Sequence, residues 1–362
     1  MADADKWDES GEMSRGAAWL KAENIAFALF FLFLLIYPQT TDEFSLLNTA
    51  YFMAITLMAL GLALIWGKAG ILSFGQTAFF GIGGYLYGIY TLNLLGSGAT
   101  WIGILVGVLA GGLVAAVLGY FMFFGGVNDV FVGLTTLALT LVLQTFMAQT
   151  AGPEWSVGEA RLNGYNGMYV PQISIGDLPL YGKPLYFLYF AIMIGVYLLL
   201  RWLAGSRWGY GLLALQENRP RTETFGYNVR LMQVQVFALA GSIAALSGVL
   251  YASWGSYIDP SSMGLTAAIT PVIYVAIGGR RSLTAAMISS MILLKLSQSL
   301  ASSAPEYALV IFGLLALLAV LFVPEGFMVA LFNAIDRWLF RRSVRETSQG
   351  SGEVVPGRGE LV

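Results

Sequence analysis

The sequence predicts an all-α integral membrane protein, and three observations carry that prediction. Of its 362 residues, 57% are hydrophobic and only 11% charged, whereas a soluble domain carries about 25% charged residues. Apolar runs of roughly 20 residues recur from Phe27 to Val323, each long enough to cross a hydrocarbon core about 30 Å thick. These runs lack the period-two alternation of polar and apolar side chains that a membrane barrel requires. The chain contains neither cysteine nor histidine, which excludes disulfides, thiolate or imidazole metal sites, Ser/His/Asp triads and Cys/His nucleophile pairs. A formal charge of −2 argues against a nucleic-acid partner, which demands a basic face.

Taken in order, about ten spans are expected from apolar length. They are Ile25–Tyr37, Ser45–Trp66, Gln76–Leu95, Thr100–Phe124, Val127–Gln149, Pro184–Leu203, Val234–Trp254, Gly264–Gly279, Ser282–Ser302 and Tyr307–Val323. Residues 1–21 carry Asp3, Asp5, Asp8, Glu9 and Glu12 and lack the basic start and small-residue cleavage site of a secretory signal. They are expected to be a retained cytosolic tail, with a membrane domain over 22–330. Residues 331–362 are expected to be a cytosolic amphipathic segment and flexible tail.

Short cytoplasmic loops carry the excess of Lys and Arg. With the N-terminus inside, the inner loops hold Lys68, Arg207, Arg219, Arg221, Arg230, Arg280 and Arg281, followed by Arg337, Arg341, Arg342 and Arg345. The outer loops hold only Arg161 and Lys183. Adding or removing one span would put a basic cluster on the wrong side, so both termini are expected in the cytoplasm. Spans two to five then begin outside and spans seven to ten begin inside. Two four-helix blocks of opposite orientation make an inverted repeat, a transporter plan with the solute path at the repeat interface.

Several segments invite a sharper reading. The stretch WGKAGILSFGQTAFFGIGGY, Trp66 to Tyr85, sets Gly67, Gly70 and Gly75 beside Ser73 and Gln76 where two spans meet. It reads either as a re-entrant turn lining a solute path, with Gln76 and Tyr85 on that path, or as a plain loop before a helix packed through Gly81, Gly84 and Gly88. It is not a phosphate-binding loop, because Ala69 stands where Ser or Thr must follow the lysine. Gly103, Gly107 and Gly111 in span four form a small-residue ridge for close helix packing. In span five, Thr136, Thr140 and Gln144 recur every four residues and share one helix face. Such a stripe either coordinates a solute or bonds its own backbone and neighbouring helices. Lys295 in span nine either faces the path or extends its stem to the interface.

Outside, residues 152–183 form the longest loop, a length often found in functional loops, with a solvated cap as the alternative. Inside, residues 204–232 exceed what a connection needs. Leu212, Leu213 and Leu215 followed by Gln216, Glu217, Asn218 and Arg219 suggest a short amphipathic turn. Pro220 then breaks the chain, Arg221 follows, and Gly226 suits a helix C-terminal cap. This element would serve either to dock another protein or to anchor the positive side of the membrane.

The runs GILSFGQTAFFGIGGY, ALQENRPRTETFGYNVR, FALAGSIAALSGVLYA, IGGRRSL and FVPEGFM, in matching order over about residues 45 to 330, resemble the inner-membrane permeases of branched-chain amino acid ABC importers and the related amide and urea importers. The resemblance implies a non-enzymatic permease subunit of the bacterial inner membrane. It would work with a second permease subunit, two cytoplasmic ATPases that bind ATP and Mg, and a periplasmic solute-binding protein. Within the family, the segment matching Gln216 to Gly226 resembles the coupling helix that sits in a groove of the ATPase. LTTLALT in span five looks like the amino acid branch, whereas VAIGGRRSL and APE look like the urea branch. Branched-chain or other amino acids are therefore the expected solute, with urea or a short-chain amide as the alternative. An ion-coupled secondary transporter is a rival, but it would need intramembrane ionisable relays, for which only Asp129 and Lys295 are candidates.

Overall fold

The computed structural model describes residues 22–94, 98–176, 178–303 and 326–337, with scattered positions between 307 and 323. Its long helices are α1 (Ala22–Thr40), α2 (Glu43–Ala69), α3 (Gln76–Asn93), α4 (Ala99–Phe124) and α5 (Asp129–Ala148). They continue as α6 (Lys183–Ala204), then the short α7 (Arg207–Glu217) and α8 (Arg219–Thr224), then α9 (Val229–Gly255), α10 (Leu265–Gly278) and α11 (Leu283–Ser303). Seven of these, α1, α2, α4, α5, α6, α9 and α11, are long and apolar enough to cross a membrane. The expected span over 307–323 lies largely outside the described residues, as do 1–21 and the chain beyond 337.

Helix ends are set by local chemistry. Asp42 caps α2 by accepting the Ser45 N–H at 3.0 Å, a bond that favours the charged carboxylate and lowers its pKa. Asn228 caps α9 in the same way, accepting the Leu231 N–H at 3.0 Å. That cap starts α9 ahead of the apolar run expected from Val234. Similarly, α1 outruns Ile25–Tyr37 because polar side chains near its start find partners: Arg201 donates to Asn24, and Ser282 Oγ donates to Glu23 at 2.7 Å.

Two 27-residue helices, α2 and α9, are the inner posts. Their apolar windows are 89% and 72% buried, against 17–33% for α1, α4, α5 and α6. Glycine allows the close contacts. A Cβ at Gly248 of α9 would stand 1.8 Å from the Phe80 carbonyl oxygen of α3, and one at Gly107 of α4 would stand 2.7 Å from the Gly83 oxygen. The predicted ridge Gly103, Gly107 and Gly111 thus packs α4 onto α3 and α9. The outward faces of α1 (Leu29, Leu32, Phe33) and α4 (Leu105, Leu109, Leu113) are apolar, as a lipid-facing surface requires.

The basic side chains gather at one end of the bundle. Lys68 Nζ donates to the Arg281 carbonyl at 3.4 Å, and the Arg280 guanidinium lies 5.5 Å from the centre of the Trp66 ring. The opposite end carries the 152–183 segment, which folds into two small antiparallel hairpins. These are β1 (Ser156–Val157) with β2 (Ala160–Arg161), and β4 (Ser174–Ile175) with β5 (Leu178–Pro179). Between them β3 (Met168–Tyr169) pairs with β6 (Tyr257–Ile258), which ties this cap to the end of α9.

Candidate functional site

Each inner post is followed by an interrupted segment, and the two interruptions enter from opposite ends. After α2, Gly70 turns the chain at φ 73°, and residues 71–75 run without regular structure into the bundle, with Ile71, Ser73 and Gly75 buried. They reach Gln76, whose Oε1 lies 3.6 Å from the Cβ position of Gly61. Gly61 is about 12 Å up α2 from its basic end, at 1.5 Å per residue. After α9, β6 and a 3₁₀ turn at Pro260–Met263 lead to α10, which has only 14 residues and spans about 21 Å. It is too short to cross a core of about 30 Å.

One helix holds both interruptions. Phe74 N–H donates to Thr136 Oγ1 of α5 at 3.1 Å, and Thr140 Oγ1 donates back to the Phe74 carbonyl at 3.3 Å. Thr136 in turn donates to the Gly133 carbonyl at 3.0 Å. Irregular backbone at membrane depth persists only where its polar groups find partners, and these two fully buried threonines supply them. One turn further along α5, half-buried Gln144 places its Nε2 3.2 Å from the Cβ position of Gly264, the residue that starts α10. The stripe expected to line a path as a unit is therefore divided: Thr136 and Thr140 clasp the first interruption, and Gln144 abuts the second. Thr135 and Thr145 face outward on the same helix.

The remaining candidate path residues separate into two groups. Gln76 is 1% exposed, yet neither amide atom has a hydrogen-bond partner among the described residues. Tyr85, further along α3, is 5% exposed with an unpartnered hydroxyl. Both sit between the posts and the interruptions. Lys295 does not join them. It lines an apolar groove of about 320 Å³ with Phe33 and Tyr37 of α1 and Ile292 of α11, on the far side of α2.

At the basic end the expected coupling element is two helices, not one. Gln216 and Glu217 close α7, and Asn218 begins α8, accepting the Arg221 N–H at 3.0 Å. Pro220, near the start of α8, suits a first helical turn that needs no donor there. Gly226 follows α8 at φ 86°, as a C-terminal cap would. Glu217, Asn218 and Arg221 are exposed. Two contacts lead inward. Gln216 Cγ lies 3.1 Å from the Cβ position of Gly70, where the first interruption begins, and Arg219 forms an ion pair with Asp129 at the start of α5.

Sequence reasoning named Asp129 only as a candidate ionisable relay for the ion-coupled rival and missed this pairing, because the partners lie 90 residues apart. It also missed Asp259, which caps the 3₁₀ turn by accepting the Ser261 N–H at 2.6 Å. Burial, and then the Asp259 charge, raise the pKa of the neighbouring Tyr257 hydroxyl. The run Asp259, Pro260, Ser261, Ser262 after a long apolar stretch was the available signal.

Comparison with known sequences matches residues 45–320 to the family described as branched-chain amino acid transport system / permease component. The chain is similar to the high-affinity branched-chain amino acid transport system permease protein LivH of Salmonella typhimurium, 22% identical over 285 residues, which cover 75% of this chain and 90% of that protein. The Escherichia coli LivH is 23% identical over the same shares. The high-affinity branched-chain amino acid transport system permease protein LivM of Escherichia coli is 23% identical over 305 residues, covering 76% of this chain and 68% of that protein. No solved structure matches.

Proposed function

The chain belongs to the branched-chain amino acid transport permease family, and from that membership we propose that it is the membrane-spanning permease subunit of an ATP-driven importer for amino acids in the bacterial inner membrane. It pairs with a second permease subunit, as the similarity to both LivH and LivM suggests. Two cytoplasmic ATPases dock on α7 and α8, and a solute-binding protein delivers cargo to the opposite end. The basic end is cytoplasmic, in keeping with its Lys and Arg. ATP and Mg are bound by the ATPases, and this chain contributes no catalysis of its own.

The observation that carries this reading is the continuity from α8 to both interruptions. Closure of the ATPases displaces α7 and α8. The Arg219–Asp129 pair passes that displacement to α5, and the contact of Gln216 with Gly70 passes it to residues 71–75. Because α5 clasps Phe74 and abuts Gly264, both ends of the path respond together. Direction comes from the different stabilities of the two states with and without ATP.

The test is ATP-driven uptake of radiolabelled L-leucine into proteoliposomes holding the complete complex. Arg219→Ala should slow uptake while leaving assembly and unfolding temperature unchanged. Its side chain is 33% exposed and that of Asp129 45%, so the pair contributes only about 0–1 kcal/mol to stability. Normal uptake in that variant removes the coupling assignment. Failure of the chain to copurify with any ATPase removes the function.

A further inference from the structure

Away from the basic end, α2, α3, α9 and α10 bring together aromatic side chains whose hydroxyl groups the fold does not use. Tyr51 lies 6.0 Å from Tyr251 and 5.0 Å from Trp254 between ring centres, and Tyr251 lies 5.2 Å from Phe80. The Tyr85 hydroxyl is buried without a partner. The half-buried Tyr51 and Tyr251 make no hydrogen bond through their hydroxyls among the described residues. Elsewhere the fold places its buried tyrosines differently. Tyr87, Tyr186 and Tyr189 each donate to a backbone carbonyl, at 3.0, 2.7 and 2.6 Å. A buried hydroxyl without a partner, as on Tyr85, is costly unless something else bonds to it.

Two further features sit at the same place. Asp259 is held beside Tyr85 by its flanking residues: Ile258 Cδ1 lies 2.5 Å from the Cβ position of Gly84, and Met263 Sδ lies 1.9 Å from that of Gly81. One of its oxygens is occupied by Ser261, which leaves the other carboxylate oxygen free. The ring of Tyr85 lines a cavity of about 280 Å³ whose wall is apolar throughout, formed with Gly81, Ile82, Leu143, Met147 and Met263 among others. Both features adjoin the 3₁₀ turn before α10. Short or interrupted segments in corresponding halves of a transporter are where substrate sites are built.

We propose that the Tyr51, Tyr85, Tyr251 and Asp259 cluster, with the apolar cavity beside Tyr85, is a recognition site for a zwitterionic α-amino acid carrying an aliphatic side chain, a reading that rests on the importer function above. The free carboxylate oxygen of Asp259 takes the ammonium group, with tyrosine ring faces beside it. The solute carboxylate accepts from the unused tyrosine hydroxyls, and the aliphatic group fills the cavity. Urea offers neither a cation for Asp259 nor an apolar group for the cavity. The site therefore separates the two solute classes between which sequence motifs are divided.

The experiment is equilibrium binding of L-[³H]leucine to the full chain in lipid nanodiscs, with L-alanine and urea as competitors. L-Leucine should outcompete L-alanine by about tenfold or more, since each additional buried methylene is worth roughly fourfold, and urea should not compete. Asp259→Asn, which retains the capping oxygen, and Tyr85→Phe should each weaken L-leucine binding by about tenfold or more. Equal competition by urea, no binding of L-leucine to the folded chain, or unchanged affinity in both variants overturns the site. A complex that imports L-alanine or other amino acids under ATP, with L-leucine uptake unchanged in both variants, overturns the site and leaves the importer standing. Asp259-dependent L-leucine binding in a chain with no ATP-driven uptake does the reverse.

Discussion

Replacing Thr136 with Val tests whether α5 holds the first interruption. Valine matches threonine in shape and keeps the methyl group that packs on Gly75, whose Cβ position lies 3.4 Å from Thr136 Cγ2. What it removes is the acceptor for Phe74 N–H, a bond of 3.1 Å to a side chain that is 0% exposed. Valine offers no replacement acceptor, so the amide is left unpaired at a cost of about 1–3 kcal/mol, equivalent to a factor of roughly 5–150 in the clasped population. Thr140→Val should cost less, about 0.5–1.5 kcal/mol, because its hydroxyl is shared between the Phe74 and Thr136 carbonyls at 3.3 and 3.0 Å. Thr135→Val, one residue away but facing outward, should stay within about 0.5 kcal/mol. Hydrogen–deuterium exchange of the 71–75 segment in nanodiscs reads the clasp directly, and thermal unfolding reads its cost. Slow exchange at Phe74 in the Thr136→Val chain, or equal acceleration in Thr135→Val, would refute the clasp.

Two other substitutions probe the neighbouring geometry. Gln76→Leu removes an amide that is 1% exposed and unpaired at both atoms. Folded stability should therefore hold or rise by about 1–3 kcal/mol while uptake falls, and normal uptake would take Gln76 off the path. Gly248→Ala sets a methyl group 1.8 Å from the Phe80 carbonyl oxygen, forcing α3 and α9 apart at about 1–3 kcal/mol or more. Gly195→Ala in α6, where nothing lies within 4 Å, should be neutral or slightly stabilising by unfolding temperature.

Much of this fold is legible in the sequence because its determinants are local and periodic. Apolar length predicts seven of the spans among the described residues, Lys and Arg predict the basic end, and the four-residue glycine spacing of α4 predicts a packing ridge. The break after Ala69 is also legible, through Gly70, Ser73 and Gly75. The division of labour along α5 is not. Thr136, Thr140 and Gln144 look equivalent by spacing, and only the approach of Phe74 and Gly264 from segments distant in sequence separates them. The same holds for Lys295, which sequence alone cannot assign to a side of α2, and for Asp259, whose neighbours come from α3 and α9. Caps such as Asn228 were readable but outweighed by hydropathy, which marks where a helix enters lipid and not where its hydrogen bonding begins.

The placement of α5 bears on how one motion could open opposite ends in turn. Its apolar window is only 22% buried, so it is fixed chiefly by what it grips. The grips fall at Asp129, at Thr136 with Thr140, and at Gln144. At 1.5 Å per residue the first lies about 10 Å below the Phe74 clasp and the last about 6 Å above Thr140. On the proposed function, a push at Arg219 tilts a stiff helix about its middle grip, so its two ends move in opposite directions. The Asp129 end closes toward the bundle as the Gln144 end withdraws from Gly264, or the reverse. Alternation of access then requires no second signal across the membrane, because a single lever with a central pivot cannot open both ends at once. The clasp on Phe74 is the pivot. This is why loosening it through Thr136 should slow uptake more than its cost in stability suggests: without a fixed middle grip, displacement at Asp129 slides α5 along the bundle instead of tilting it.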